Sequence, residues 1–354
     1  MRHILLSFVT ASATIVNAAI LVVDNTPGAG APYSSLQAAF NSSANGDTIM
    51  VQPSGISYGN VDLHKSLVII GPGHRAQTSM NATVGLISVW TGGTGSTIMG
   101  LQLSSIGGGG LGSKVHDLKI LRNYFFGTTM LSTPIGNNRE ATGWIVEGNI
   151  FVEPATCGGC EVIDLGYQST HNFIFRHNVF ITRESGTTHL FGHLNPTSVL
   201  YHNIIVYRNP AMFENTCVDA LFQNNIIWVT NSAVTKVDQN CTNCQWVHNL
   251  TYHSSATLDT LPGTNNLDNT DPEFVNVPSS AFDYDHDYHC APGSPGASAA
   301  SDGGMVGVHG GSFPFTMHGW PQDIPTMIDM ILDNVSLEQG SNSTVRVKAA
   351  GGAN

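Results

Sequence analysis

Charged side chains are scarce in this chain of 354 residues. Lys and Arg together number 13 and Asp and Glu 25, so charged residues make up 11% of the sequence and the net charge is −12. The phosphate backbone repels an acidic chain, which argues against a nucleic-acid partner. Long apolar runs are also missing, since none approaches the roughly 20 residues of a membrane-spanning helix. The sequence therefore predicts neither nucleic-acid binding nor a transmembrane segment.

What the sequence does contain is an asparagine that returns every 22 to 29 residues. The recurring residues are Asn123, Asn149, Asn178, Asn203, Asn225 and Asn249. A period in this range is typical of stacked repeats, each too small to bury its own apolar face. We expect each Asn to adopt the left-handed backbone conformation at a sharp corner between strands. We also expect its amide to hydrogen-bond to the copies above and below, forming a ladder.

The residues around each Asn predict strands. The first and third residues after it, for example Ile150 and Val152, are apolar and point to one face of a strand. The second is also apolar in most repeats, so we expect loops to cover one of the two faces. The repeats are rich in Asn, Gly, Thr and β-branched residues, which favour strands and turns over helices. The sequence predicts an all-β fold, a parallel β-helix solenoid of about nine to eleven coils.

The first 18 residues predict a signal peptide. A basic start at Arg2 precedes an apolar stretch from Ile4 to Val16 and small residues up to Ala18. Removal of this segment implies export, so we expect a secreted or cell-surface protein. Export places the cysteines in an oxidising compartment.

The remaining chain divides at residue 312. Residues 19–312 contain the repeats, and residues 313–354 predict a Pro-rich linker with a short C-terminal β segment. The stretch from Pro32 to Phe40 predicts a short amphipathic helix with Ser near its start. Exposed sheet edges invite pairing with other chains, so we expect this helix to cap the open end of the solenoid. The glycines from Gly107 to Gly110 predict a flexible loop between repeats.

Six cysteines are disulfide candidates. They are Cys157, Cys160, Cys217, Cys241, Cys244 and Cys290. Four of them form two C-x-x-C pairs about three repeats apart, or roughly 15 Å at the strand spacing, which is too far to share one zinc ion. We therefore expect disulfides and no metal site. The repeat period places Cys217 one level from Cys241, so Cys241 has both Cys217 and Cys244 as possible partners.

Two ends of the repeat region resemble a known family. The stretch Tyr33–Ala39 with Gly46–Ile49 resembles the N-terminal cap of secreted right-handed parallel β-helix proteins of the pectin lyase-like superfamily. Asp271–Phe274 with Ala291–Pro295 is similar to their C-terminal closure. The resemblance implies a right-handed solenoid with both ends capped. The overall pattern is most similar to uncharacterised bacterial cell-surface β-helix proteins.

A catalytic site is expected only in altered form. The segment from Glu161 to Thr170 resembles the catalytic repeats of alginate and chondroitin lyases, but Gln168 stands where that family has Lys. The family's Arg is also missing, and His189 stands near its position. Proton abstraction beside a carboxylate needs a base and a cation. The candidates are Tyr167 and His189 as bases, Arg176 or Arg183 as the cation, and Glu161 with Asp164 as a carboxylate pair for hydrolysis instead.

Binding is the leading functional expectation. A long ladder of polar and aromatic side chains suits an extended carbohydrate, so we expect a polysaccharide or cell-surface glycan as partner, without catalysis. The alternatives are a polysaccharide lyase with non-standard residues and a structural or adhesive surface element. No cofactor is expected, and calcium is a possible cofactor only of the lyase. His177, His202 and His248 each precede a ladder Asn and therefore share one line of the solenoid. They predict either a metal or uronate site or a stacked corner.

Overall fold

The solenoid is built from stacked parallel sheets. In the computed structural model the described residues are 18–74, 81–133, 139–154, 161–166, 170–182, 189–194, 196–208, 211–215, 217–313, 315–320, 326–332 and 345–350. Residues 1–17 of the predicted signal peptide lie outside them, as do Cys157, Cys160 and Tyr167. The chain is almost entirely β, with about eight turns.

The first sheet has eleven parallel strands, one above the other. Its strands are, in order, Ile20–Val23, Thr48–Val51, Val68–Ile70, Thr97–Met99, Lys119–Leu121, Ile145–Glu147, Ile174–Arg176, Val199–Tyr201, Leu221–Gln223, Gln245–Val247 and Gly263–Thr264. The register carries the middle residue of each strand inward, so that Ile120, Val146 and Phe175 stack in the core.

The second sheet divides into two branches. Its long strand Gln102–Gly108 pairs at its start with Tyr124–Phe125 and at its end with Leu131–Ser132. The covered branch continues from the start of this strand through Tyr124–Phe125, Ile150–Val152, Val179–Ile181, Ile204–Tyr207, Ile226–Val229 and Leu250–His253. The open branch continues from its end through Leu131–Ser132, Glu161–Asp164 and His189–His193. Thr83–Val89 and Val61–Leu63 extend the sheet on the other side of the long strand.

Shorter elements complete each turn. A third parallel sheet contains Lys114–His116, Glu140–Thr142 and Thr170–His171, and a parallel pair contains Cys217–Val218 and Cys241–Thr242. Antiparallel pairs join Phe274–Asn276 to Asp287–Cys290 and Thr326–Leu332 to Val345–Ala350. The helices are Leu36–Ser42 and two 3₁₀ turns, Thr91–Gly93 and Pro295–Ser298. The pair formed by residues 326–332 and 345–350 agrees with the two C-terminal strands that the sequence predicts.

The N-terminal helix is confirmed. It begins after Ser35, whose Oγ accepts a hydrogen bond from the Ala38 N–H at 3.3 Å. This capping bond satisfies one of the free amides of the first turn. Leu36, Ala39 and Phe40 are buried in the core of the solenoid.

The six predicted asparagines are joined by hydrogen bonds inside the solenoid. The Nδ2 of each donates to the Oδ1 of the next at 2.9–3.1 Å from Asn123 to Asn249, and Asn249 donates to Asn266 at 3.2 Å. Each ladder side chain is buried and also donates to a backbone carbonyl, as Asn178 does to Val146 at 2.8 Å. The ladder thus satisfies polar groups that burial leaves without water.

The expectation that the Asn itself forms the corner is wrong. The left-handed conformation falls on the residue before each ladder position, namely Arg122, Gly148, His177, His202, Asn224 and His248, with φ between 53° and 68°. The Asn must point inward to reach its neighbours, so the turn occurs one residue earlier. Gly100, with φ 68°, continues this column as the sequence predicts.

A C-terminal segment covers the outer face of the covered branch. This segment, which we call the strap, comprises residues 274–313 and 315–320. Its buried residues Tyr288, Cys290, Ala300, Val306, Val308 and Phe315 pack against the first and third residues after each ladder Asn, such as Ile150, Val152, Ile204 and Leu250. The second residues, such as Phe151 and Phe180, face the interior. One strand face is therefore covered by a loop segment, as predicted.

The strap runs along the solenoid. Tyr284 Oη lies 3.0 Å from His74 Nδ1, the Ala299 carbonyl 2.9 Å from His248 Nδ1, and the His318 carbonyl accepts a bond from the His74 N–H. The strap therefore reaches the turn of His74 at Tyr284, runs back to the turn of His248 at Ala299, and returns to the turn of His74 at His318.

The beginning of the predicted linker also contacts the solenoid. Phe313 stacks on His177, and the Arg122 guanidinium lies 5.1 Å from the Phe313 ring centroid. Arg122 Nη1 donates to the Trp320 carbonyl at 3.1 Å. The domain boundary at residue 312 remains a prediction.

Candidate functional site

The open branch carries a row of small polar residues on its outer face. The register places Ser88 beside Gly107, and Ser132 beside Asp164. Ser132 Oγ lies 2.9 Å from the point that a Cβ on Gly107 would occupy, so the two halves of the row meet. Ile87, Ile106, Leu131 and Ile163 are the inward neighbours, all buried. The row therefore crosses four strands and remains half-buried over the core.

A tryptophan flanks this row. Trp90 Nε1 donates to Asp62 Oδ1 at 3.0 Å, and the Trp90 ring stacks on His64 at 4.9 Å. A Cβ on Gly109 would lie 2.6 Å from Trp90 Cδ1, so only glycine fits there. The glycine-rich stretch is accordingly not a flexible loop, because Gly107 and Gly108 lie in a strand and Gly109 lies against the indole.

At the other end of the row is a cluster of ionisable residues that we call the carboxylate site. It contains Glu161, Asp164, Glu214, His189 and His193. Glu161 pairs with His189 in register, and Asp164 with His193 across an irregularity. The Glu214 N–H donates to the Phe191 carbonyl, which brings Glu214 beside the last strand of the open branch.

Glycine at position 192 opens the site. A Cβ there would lie 2.8 Å from Glu161 Cγ and 3.4 Å from Asp164 Oδ1. The β-irregularity places one extra residue, Gly192, between the paired positions of this strand. Its missing side chain makes room for the Glu161 side chain to extend toward Glu214.

Glu161 and Glu214 form a carboxyl pair. The hydrogen bond that protonated Glu161 donates to Glu214, together with burial and the negative charge of Glu214, raises the pKa of Glu161 to about 7. Two carboxylates that share a hydrogen bond cannot both ionise easily, so the pair shares a proton near neutral pH. A protonated carboxyl can donate a proton to a ligand.

The remaining groups differ in environment. Burial lowers the pKa of His189, and the nearby Glu214 opposes that shift. Asp164 Oδ1 accepts a hydrogen bond from the Gly166 N–H at 3.0 Å and lies 3.8 Å from His193 Nδ1. The site thus places a proton-bearing carboxyl, a second carboxylate and two imidazoles on one face.

The structure brings together three of the six catalytic candidates. Glu161, Asp164 and His189 share the carboxylate site, whereas Tyr167 and Arg183 lie outside the described residues. Arg176 lies in the first sheet, where its Nε pairs with Glu147 Oε2. The cation expected for a lyase is therefore on a different sheet from His189.

Sequence reasoning missed Glu214. Glu214 has no ladder Asn beside it. Its neighbour Phe213 forms an isolated β-bridge with Phe191, which lies 22 residues earlier in the sequence. The same spacing separates Asn203 from Asn225. Extending that local period to the open branch would have placed Glu214 next to Gly192.

The histidine line is a stacked corner that holds the strap. His177 and His202 stack at 5.2 Å, and their Nδ1 atoms lie 3.1 Å from the carbonyls of Val308 and Gly307. Burial lowers the pKa of His177 to about 4 and also lowers that of His202. These imidazoles therefore remain neutral donors to the strap.

Two groups of side chains among the described residues have metal-ligand character. Cys217, Cys241 and Cys244 place their sulfurs within 4.8 Å of one another, and so do the ligand atoms of Asp287, His289 and His309 on the strap. The described cysteines, which include Cys290, form no disulfide with one another. Cys217 lies opposite Cys241 on the neighbouring strand, as the repeat period predicts. Cys157 and Cys160 lie outside the described residues.

Comparison with other proteins gives no assignment. No protein-family model matches this chain, and no curated protein matches it in sequence. Within the described residues, every helix is too short or too polar to cross a bilayer.

Proposed function

We propose that the open branch binds an extended polysaccharide. The observation that carries the proposal is the uninterrupted row of Ser88, Gly107, Ser132 and Asp164 on a parallel sheet, with Trp90 beside one end and the carboxylate site at the other. Neighbouring strands are roughly 4.8 Å apart, so the row extends over about 14 Å along the solenoid. A flat, repetitive surface of this length suits a ligand that is itself a repeating chain.

The chemistry of the row fits sugars. Ser hydroxyls and carboxylates form hydrogen bonds with ligand hydroxyls, and an indole offers an apolar face with a polar edge. Small side chains leave room for a sugar ring above them.

The parallel stacking and the N-terminal helix also support the proposal that the solenoid is right-handed and of the pectin lyase-like type. We propose that the protein is secreted or displayed at the cell surface.

Cleavage of the bound polymer is the second candidate function. It is favoured by the Glu161 carboxyl, whose pKa is raised to about 7 by Glu214 and by burial. Glu161 would protonate the leaving glycosidic oxygen, and Asp164 would accept a proton from an attacking water. A lyase with Arg176 as its cation gains no support, because Arg176 pairs with Glu147 in the first sheet.

The test is retention of the full chain on immobilised alginate, pectate and glycosaminoglycans, with reducing ends and unsaturated products followed in parallel. We expect Ser132→Tyr to lose retention because its ring would fill the row. Lys119→Tyr, which adds the same ring to an exposed position of the first sheet, is the matched control and should bind normally.

Each outcome is informative. Equal retention of both variants would remove the open branch as the binding face. New reducing ends that disappear in Glu161→Gln would establish cleavage at the carboxylate site, and retention without products would establish binding alone.

A further inference from the structure

The three cysteines near the C-terminal turns converge from two neighbouring levels of the solenoid. Cys217 lies opposite Cys241 in the parallel pair, and Cys244 follows the left-handed corner at Asn243, whose φ is 55°. The corner turns Cys244 back, so that its Sγ lies 3.3 Å from Cys217 Sγ. All three sulfurs lie within 4.8 Å of one another.

The sulfurs are close enough to share an ion. A metal–thiolate bond is about 2.3 Å long, which separates the sulfurs of a three-coordinate site by about 4.0 Å. The observed separations, 3.3 Å between Cys217 and Cys244 and within 4.8 Å for all three, bracket that value. A disulfide instead requires an S–S distance of about 2.05 Å and leaves the third thiol without a role.

The cluster can take up an ion from one side. A bound cation would replace the thiol protons, which leave to solvent. Cys217 is buried whereas Cys241 and Cys244 are half-buried, so the sulfurs are accessible from one side.

We propose that Cys217, Cys241 and Cys244 form a binding site for one Cu(I) ion. Three thiolates complete the coordination of this soft monovalent ion, whereas Zn²⁺ takes four ligands. Among the described residues, this cluster consists of three cysteines, whereas the second group on the strap offers Asp and His ligands. The ion would tie the turn of Cys217 to the turn that contains Cys241 and Cys244.

The experiment uses the full chain with Cys157→Ser and Cys160→Ser, so that the C-x-x-C pair outside the described residues contributes no sulfur. The reduced protein is titrated anaerobically with tetrakis(acetonitrile)copper(I) in competition with a chromophoric Cu(I) chelator, and the copper environment is read by X-ray absorption. We expect one Cu(I) per chain with three sulfur neighbours.

Variants assign the ligands. Cys217→Ser, Cys241→Ser and Cys244→Ser should each lower the Cu(I) affinity by at least tenfold. Cys290→Ser is the matched control and should bind Cu(I) normally. Cys290 is a buried free cysteine in the separate cluster that the strap forms with the covered branch. Circular dichroism of each variant would show that the solenoid is retained.

Three results would overturn the proposal. The first is copper binding that survives all three substitutions, and the second is preferential binding of Zn²⁺ in a parallel titration. The third is a mass loss of two hydrogens in the protein purified without reductant that maps to a disulfide between two of these cysteines, together with no copper uptake once that disulfide has been reduced.

Discussion

The covered and open branches leave the same strand, Gln102–Gly108, and share one core, yet their outer faces have opposite chemistry. On the covered branch the outward residues, such as Val179 and Ile204, are apolar and lie under the strap. On the open branch the corresponding positions hold Ser132 and Asp164. Both branches consist of parallel strands over one core. The side chains on the outer face therefore determine whether the chain covers the sheet or leaves it for a ligand.

The largest expected effect on stability concerns Asn178, the ladder residue directly before the covered-branch strand Val179–Ile181. Asn178→Leu removes the hydrogen bonds to Val146 and Asn203 and leaves buried partners unsatisfied, at about 1–3 kcal/mol for each such group. The free energy of unfolding in urea should fall by several kcal/mol. Asn41→Leu, at an exposed helix position, is the control and should change it little. Equal stability of the two variants would contradict a structural role of the ladder.

The next largest loss of stability should come from a cavity under the strap. Ile204→Ala removes a fully buried side chain and should cost about 2–5 kcal/mol. Ser132→Ala, on the strand face of the open branch, should remain within about 0.5 kcal/mol of the parent protein. Chemical denaturation of both variants measures the difference between the branches, which would vanish if the strap did not protect Ile204.

The histidines predict that acid weakens the covered branch. Burial lowers the folded-state pKa of His177 to about 4 from 6.5, with smaller effects from His202, Arg176 and His309. A lowered His pKa gives stability that is fully present above about pH 6.5 and is lost as the pH falls toward 4. Hydrogen exchange of residues 299–309 should therefore accelerate over this window.

Two His→Asn variants test whether His177 causes the pH dependence of hydrogen exchange. His177→Asn keeps a side-chain donor and tolerates the positive φ at that position, so its exchange should depend less on pH. His64→Asn, at an exposed site, should behave as the parent protein does. An unchanged pH profile in His177→Asn would show that another group controls the strap.

Glu161 predicts a smaller effect of opposite sign on the open branch. Its folded-state pKa is raised from 4.5 to about 7, chiefly by the hydrogen bond with Glu214. The corresponding stability is fully present below about pH 4.5 and is lost as the pH rises through 7. Glu161→Gln should remove this slope from the unfolding free energy, whereas Asp287→Asn, on the strap, should leave it in place.

The regular part of the fold could be predicted from the sequence because it repeats. The asparagine spacing identified the ladder, and the apolar residues around it identified the strands. The assignment of the corner failed by one residue because periodicity does not distinguish an inward Asn from the left-handed His177 or His202 before it. Propensity favours Asn for that conformation, and burial of its amide overrides the preference.

The site was less accessible to sequence reasoning. Glu161, Asp164 and His189 were identified by resemblance to lyase catalytic repeats, and the structure places them on consecutive strands of one branch. Arg176 is only near them in sequence. Glu214 lies in a short turn without a ladder residue, and its position depends on the stacking of Phe213 on Phe191. The Cys217–Cys241 register followed from the period, whereas the approach of Cys244 depends on the corner at Asn243.

The strap also has a consequence for how the molecule unfolds. Turns that touch only their neighbours can be lost one at a time from either end. Here one continuous segment contacts the turns from His74 to His248, so the loss of an end turn also releases the strap from the turns between them. We expect a single cooperative transition across the solenoid. During synthesis the strap emerges after the turns that it covers, and a chain that ends before residue 274 would expose the apolar row of the covered branch and be prone to aggregate.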